Sequence, residues 1–202
     1  MKYYILFSII IALICVGAIR YSRDCYKHDL LNIYGESLKQ CKQDGMSRGS
    51  WDAGGKCSEQ DGGVHQICIQ QISKNAPRFS KETGQSDWSD ARGKNNHCVC
   101  LGAWSLYSAT QPVKDNILQC DAIPETVFSK KYVHTFSEGW NKWNGLELDN
   151  QIIQGVESLV HQCQTSNKKQ NKRLIKKYCS FATSVNALRN TNIYKQLCKN
   201  IN

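Results

Sequence analysis

The sequence has few prolines and, over its last fifth, no acidic residues. Only three of the 202 residues are proline, and apolar residues are spread along the whole chain, which argues against a long disordered region. The stretch from Gln164 to Asn202 contains nine Lys and Arg but no Asp or Glu. The other 17 basic residues balance the 17 acidic ones, so the whole net charge of +9 belongs to the C-terminal fifth.

Other absences narrow the classes of function. The chain has no serine-nucleophile motif, no phosphate-binding loop and no pair of catalytic carboxylates, and we predict no cofactor. It also has no Asn-x-Ser/Thr sequon, although Asn is common. A domain made in the endoplasmic reticulum would be expected to carry such a sequon by chance. Its absence favours a bacterial envelope protein, or a component of a virus that oxidises its own membrane proteins.

One long apolar run lies at the N-terminus. Residues 3–19 form an uncharged stretch of 17 residues that is followed by Arg20 and Arg23. About 17–25 apolar residues span a bilayer, so we predict that region 1–23 is a single-pass membrane anchor. The alternative is a signal peptide that is cleaved after Ala18, although a signal core of about 7–15 residues is usually shorter than this one.

Cysteine is abundant, with eleven residues. Cys15 lies inside the apolar run, which leaves an even set of ten. An even set in an exported domain predicts disulfides, because oxidising compartments preserve them. We therefore place the domain on the oxidising side of the membrane and expect at least eight of the ten cysteines to be paired. The disulfide candidates are Cys25, Cys41, Cys57, Cys68, Cys98, Cys100, Cys120, Cys163, Cys179 and Cys198.

Hydrophobic periodicity predicts an α+β fold. Alternating apolar residues predict strands at Val64–Gln71 and His97–Leu101 and a third strand at Asn116–Cys120. The last third shows the three- and four-residue spacing of amphipathic helices, in two stripes. These stripes are Ile152, Val156, Leu159 and Cys163, and then Leu174, Tyr178, Phe181, Val185 and Leu188.

The predicted architecture is a small disulfide-rich domain with a short sheet (24–145), followed by a basic helical C-terminal region (146–202). A transmembrane helix precedes both. Cys163 and Cys179 bracket the link between the two C-terminal helices, so a disulfide there could join them as a hairpin, although the sequence leaves the disulfide connectivity open.

The densest group of chemically versatile residues surrounds the first two predicted strands. Asp61 and His65 are spaced for a base and its orienting carboxylate, although a histidine beside Ile67 is also typical of a structural residue. Structural disulfides are one interpretation of the nearby cysteines. A second is a thiol-redox pair, Cys98 and Cys100, with His65 tuning a thiolate. A third, weaker one is a zinc site formed by His65, Cys68, Cys98 and Cys100.

Several short motifs follow one another between residues 32 and 104. These are Asn32-Ile33-Tyr34-Gly35-Glu36-Ser37-Leu38 with Cys41, Asp44-Gly45-Met46 with Arg48, Asp61-x-Gly63-x-His65-x-Ile67-Cys68, Phe79-Ser80-Lys81 with Gly84, Asp87-Trp88-Ser89, and Cys98-Val99-Cys100 with Trp104. In their order and spacing they resemble a bacterial domain-of-unknown-function family, number 2237.

The resemblance implies a compact α+β domain without an established activity. It also directs attention to the matching polar residues Asp61, His65, Cys68, Cys98 and Cys100. The sequence departs from the family pattern in three places. It has His97 where the family has Trp and Ala103 where the family has Arg, and Cys57 matches the family's next cysteine only if a short insertion is allowed. The N-terminal run and the basic C-terminal region lie outside the match.

Two further features suggest binding surfaces. The six cations Lys168, Lys169, Lys172, Arg173, Lys176 and Lys177 lie within ten residues. They could meet an acidic protein, anionic lipid or nucleic acid, or form the solvated face of an amphipathic helix. Trp140 and Trp143 could present an aromatic platform, but their spacing is more typical of core packing.

The sequence therefore favours a membrane-tethered structural or interaction module. A thiol-redox enzyme and a zinc-binding domain remain the alternatives.

Overall fold

A computed structural model describes residues 30–46, 49–58, 65–129, 148–164 and 167–199. The chain divides into two units between Leu30 and Leu31, and all the described residues after Leu30 belong to the second unit. The predicted anchor at residues 3–19 lies outside the described residues. Within the described ranges, no helix combines the length and apolar character needed to cross a membrane.

The sheet consists of two short antiparallel strands, β1 (Ile67–Ile69) and β2 (His97–Val99), with Cys68 opposite Cys98. The predicted third strand at 116–120 was wrong, because Leu118 makes only a single bridge to Ile69. Asn116 has a left-handed φ of 60°, and a 3-10 turn begins at Cys120. These two features leave too few extended residues between them for a strand.

Seven α-helices lie in the described part of the chain. They are α1 (Ile72–Asn75), α2 (Phe79–Glu82), α3 (Leu101–Thr110), α4 (Leu148–Cys163), α5 (Lys168–Thr183), α6 (Asn186–Arg189) and α7 (Asn192–Leu197). Three-residue and four-residue 3-10 turns lie at Asp90–Arg92, Cys120–Ala122 and Glu125–Phe128. The mixture of helices, a small sheet and several disulfides confirms the predicted α+β class.

Side chains determine where the two central helices begin. Cys100 precedes α3, and its sulfur accepts a hydrogen bond from the backbone N–H of Ala103 at 3.4 Å. Asn167 precedes α5, and its side-chain oxygen accepts from the N–H groups of Lys169 and Gln170 at 3.1 and 3.3 Å. Such caps satisfy N–H groups that have no partner within the helix.

Helix α4 packs directly against α3. A Cβ atom on Gly155 would lie only 2.0 Å from the Ser105 hydroxyl oxygen, so glycine is needed at this crossing. The indole N–H of Trp104 donates to the carbonyl of Gly155 at 3.1 Å. The predicted stripe of α4 is buried here, and the main core extends from Ile33 to Cys198. One core therefore spans both sides of the boundary that we predicted between residues 145 and 146.

The stripe predicted for α5 is also buried, but it does not belong to one helix. Helix α5 ends at Thr183, and α6 begins at Asn186. Val185 and Leu188 are buried after this break. The predicted continuous helix was therefore too long, although the apolar residues were assigned correctly to the core.

Candidate functional site

Four disulfides cross-link the described part of the chain. They join Cys41 to Cys68, Cys57 to Cys98, Cys120 to Cys163, and Cys179 to Cys198. The prediction of a disulfide-linked domain with at least eight paired cysteines is confirmed. The bond considered between Cys163 and Cys179 does not form, because Cys163 bonds Cys120 and Cys179 bonds Cys198. Cys25 lies outside the described residues.

A small cleft beside the sheet brings together three of the predicted site residues. His65, Cys98 and Cys100 line a cavity of about 170 Å³. The same cavity is also lined by Ser50, Gln85, Trp88, Arg92, His97, Val99 and Ala103. Asp61, the predicted partner of His65, lies outside the described residues. We call this cavity the histidine cleft.

His97 is the central residue of the histidine cleft, although in the sequence it stands out only as a departure from a family pattern. Its Nε2 lies 2.9 Å from the Ser50 hydroxyl oxygen. Its ring packs against the Trp88 ring with the centroids 4.3 Å apart. The guanidinium carbon of Arg92 lies over the same Trp88 ring, 5.2 Å from its centroid. Burial, reinforced by the nearby Arg92 and His65, lowers the pKa of His97 to about 3. The imidazole is therefore neutral at physiological pH.

His65 has a different environment. It is partly buried, and loss of solvent lowers its pKa below the ordinary value. Its backbone N–H donates to the Ser58 carbonyl at 3.4 Å. A lowered pKa keeps this imidazole neutral at physiological pH and does not distinguish a base from a structural histidine.

Cys98 and Cys100 do not bond each other. Cys98 is bonded to Cys57, whereas Cys100 is a free thiol. Burial raises the pKa of Cys100 to about 11, against the opposing effect of backbone hydrogen bonds at the start of α3. A thiol with such a pKa is protonated at physiological pH and is a poor nucleophile. The disulfide of Cys98 and the protonated thiol of Cys100 therefore do not support the interpretation of these two cysteines as a thiol-redox pair.

The predicted zinc set of His65, Cys68, Cys98 and Cys100 is not assembled as ligands. Cys68 and Cys98 are both bonded to other cysteines. Among the described residues, the one group of three ligand atoms close enough for a metal consists of Cys41, Cys57 and Cys98. Their sulfurs are all in disulfides in this structure.

The basic run forms one side of α5. Two of its cations are paired with carboxylates of the main body, Arg173 with Glu36 at 3.5 Å and Lys177 with Glu125. The other four are exposed, and no ion pair involves them within the described ranges. These four, which we call the α5 lysines, are Lys168, Lys169, Lys172 and Lys176.

A wide groove of about 1010 Å³ continues from the α5 lysines. Lys176, Lys177 and Arg173 line it on the α5 side, together with Phe181 and two serines. The opposite side contains Leu31, which is 41% exposed. Phe128 packs against Phe181 with ring centroids 5.8 Å apart. The groove thus combines an apolar wall with a cationic edge, and we call it the α5 groove.

Comparison with known proteins identifies no relative. No family model, no curated protein and no solved structure matches the chain. The resemblance of residues 32–104 to the domain-of-unknown-function family 2237 therefore gains no support from these comparisons.

Proposed function

We propose that this chain is a single-pass membrane protein whose disulfide-linked domain is an interaction module for an anionic membrane surface. The apolar run at residues 3–19 would be the anchor, and the domain would lie on the oxidising side. The observation that supports the surface most directly is the group of four exposed α5 lysines, which form no ion pair with any residue in the described ranges, next to the α5 groove.

The α5 lysines are rigidly presented. Leu174 and Tyr178 on the opposite side of α5 are fully buried at 0% exposure. The ion pairs of Arg173 with Glu36 and of Lys177 with Glu125 attach the helix to the rest of the domain. Lys168, Lys172 and Lys176 are spaced four residues apart, so they follow one row along the helix. A fixed cationic row fits a plane of phosphates better than scattered charges would.

The position of the α5 groove favours lipid as the occupant. Leu31 is the first residue of the domain unit and lines the groove. Only residues 20–30 separate it from the apolar run. Eleven extended residues span at most about 40 Å, so an anchored domain stays close to lipid headgroups. Each basic residue near an anionic leaflet contributes about 1 kcal/mol of attraction.

Lysine footprinting on the full-length chain in nanodiscs tests this proposal. The chain is incorporated into discs of neutral phosphatidylcholine alone or with phosphatidylserine, and exposed amines are then labelled. We expect phosphatidylserine to slow labelling of the α5 lysines severalfold, and added salt to reverse the effect because it screens exposed charges. Four exposed lysines elsewhere provide internal controls with unchanged labelling, namely Lys39, Lys74, Lys81 and Lys94.

The outcomes separate the two parts of the proposal. Failure of the chain to incorporate into neutral discs would contradict the anchor. Incorporation with equal labelling in both lipids would contradict the lipid-binding surface alone. Protection of the α5 lysines by added nucleic acid, but not by phosphatidylserine, would instead identify nucleic acid as the anionic partner.

A further inference from the structure

Two disulfides lie side by side against the small sheet. Cys68 and Cys98 are directly opposite in the register of β1 and β2, and their partners are Cys41 and Cys57. The sulfurs of Cys41, Cys57 and Cys98 all lie within 4.8 Å of one another. The four cysteines form a separate buried cluster with Ala122, and Trp51 packs against it. We call these four residues the sulfur cluster.

We propose that the sulfur cluster binds one Zn²⁺ ion when its two disulfides are reduced. In a tetrahedral thiolate site, Zn–S bonds of about 2.3 Å place the sulfurs roughly 3.8 Å apart. The sulfurs of Cys41, Cys57 and Cys98 lie within 4.8 Å of one another, and the fourth sulfur, that of Cys68, is held beside them by its bond to Cys41. The bonded pairs have Cα–Cα distances of 5.8 and 5.4 Å. After reduction, rotation of the side chains would move the bonded sulfurs apart to the separation of zinc ligands without moving the backbone far.

Hydrogen bonds hold the backbone of the sulfur cluster in place independently of the disulfides. The N–H groups of Cys41 and Lys42 donate to the Gly55 carbonyl at 2.9 and 3.0 Å. The side-chain amide of Asn96 donates to the Cys41 carbonyl at 2.9 Å. These bonds and the pairing of β1 and β2 do not depend on the disulfides, so they favour the native arrangement of the contributing segments after reduction. The metal would then meet ligands that are largely preorganised.

Formation of the metal site requires an external reductant for the two disulfides. A dithiol, or a phosphine together with water, supplies two electrons and two protons to each disulfide, and it is itself oxidised to a cyclic disulfide or a phosphine oxide. This gives four thiols. Zn²⁺ then displaces four protons and forms four Zn–S bonds, because thiolate and not thiol is the ligand. The same four cysteines would thus cross-link the domain through two disulfides when oxidised and through one Zn²⁺ ion when reduced. This inference does not depend on whether the chain is anchored in a membrane.

Cysteine mapping on the full-length chain in detergent tests the inference. The protein is reduced with a phosphine without oxygen, divided into samples with and without Zn²⁺, and alkylated before peptide mass spectrometry. We expect Zn²⁺ to slow alkylation at least about tenfold at the sulfur cluster, because bound thiolates are poor nucleophiles while coordinated. Alkylation of Cys120, Cys163, Cys179 and Cys198 should not change. Protection of a different set, or of none, would overturn the inference.

Cobalt provides a second measurement that does not depend on alkylation. Co²⁺ bound by four thiolates absorbs intensely in the visible range, and titration of the reduced chain should saturate at one ion per chain. Cys41→Ser and Cys57→Ser should each abolish this spectrum. The double variant Cys120→Ala, Cys163→Ala lacks a disulfide outside the sulfur cluster and should keep it. An unchanged spectrum in Cys41→Ser, or loss of the spectrum in the double variant alone, would contradict the assignment.

Discussion

Removal of the Cys120–Cys163 disulfide should destabilise the domain by an amount that loop length largely determines. The bond closes a loop with a sequence separation of 43. That loop shares no residue with the loops closed by the other three disulfides. Its contribution to the entropy of the unfolded chain is therefore independent of theirs. For this loop length, the chain-entropy relation gives about 4 kcal/mol at 25 °C.

The magnitude is large compared with the stability of a domain, which is typically about 5–15 kcal/mol. We expect the variant Cys120→Ala, Cys163→Ala to melt about 8–16 °C below the wild type, because in a protein of this size each kcal/mol corresponds to about 2–4 °C. Alanine is the preferred replacement since Cys163 is fully buried at 0% exposure, where a serine hydroxyl would add a desolvation cost.

Denaturant unfolding without reductant, followed by circular dichroism, measures this change in the free energy of unfolding. The matched control is Cys179→Ala, Cys198→Ala, which opens a loop with a separation of only 19 and should cost about 3 kcal/mol. A loss below about 1 kcal/mol for the longer loop, or a clearly larger loss for the shorter one, would refute the argument from loop entropy.

Two further predictions concern the histidine cleft. The pKa of His97 is lowered to about 3, so the unfolded chain binds an extra proton there between about pH 6.5 and pH 3, and stability falls as the pH falls through this window. At pH 4.5 the free energy of unfolding should be about 2–3 kcal/mol lower than at pH 7. In denaturant titrations, His97→Gln should remove most of that loss, whereas the control His161→Gln, at an exposed position, should not. Equal pH dependence in the wild type and both variants would contradict the burial argument. Because burial raises the pKa of Cys100 to about 11, its thiol should resist iodoacetamide at pH 7.5 in the native protein and react at once in denaturant. Rapid alkylation of the native protein would show that the thiol is accessible and ionised.

The secondary structure was predictable where the pattern is local. Ile67 and Ile69 alternate with Cys68, and this alternation alone assigned the isoleucines and the cysteine to opposite faces of a strand. The buried face of α4 followed from helical spacing in the same way. The prediction of a third strand was wrong because Asn116 adopts a left-handed backbone conformation. An alternating pattern of apolar residues contains no information about that backbone angle.

The connections between distant segments were not predictable. Eight cysteines allow 105 pairings, and the choice among them depends on which segments approach each other in the fold. Cys163 illustrates this, since its partner is 43 residues earlier and not across the short link to α5. The contact of His97 with Ser50 joins residues 47 positions apart. A single sequence offers no signal for such a pair.

The pattern of disulfides also determines how the protein responds to proteolysis. The loops closed by Cys41–Cys68 and Cys57–Cys98 overlap, so a single cut anywhere between Cys41 and Cys98 leaves the pieces covalently joined. The same is true of any single cut between Cys120 and Cys163, and between Cys179 and Cys198. Within residues 41–198, a single cut can separate the chain into two fragments without reductant only in 98–120 or in 163–179. Helix α3 and most of α5 lie in those two intervals, so about half of the positions where one cut would divide the chain are within folded helices.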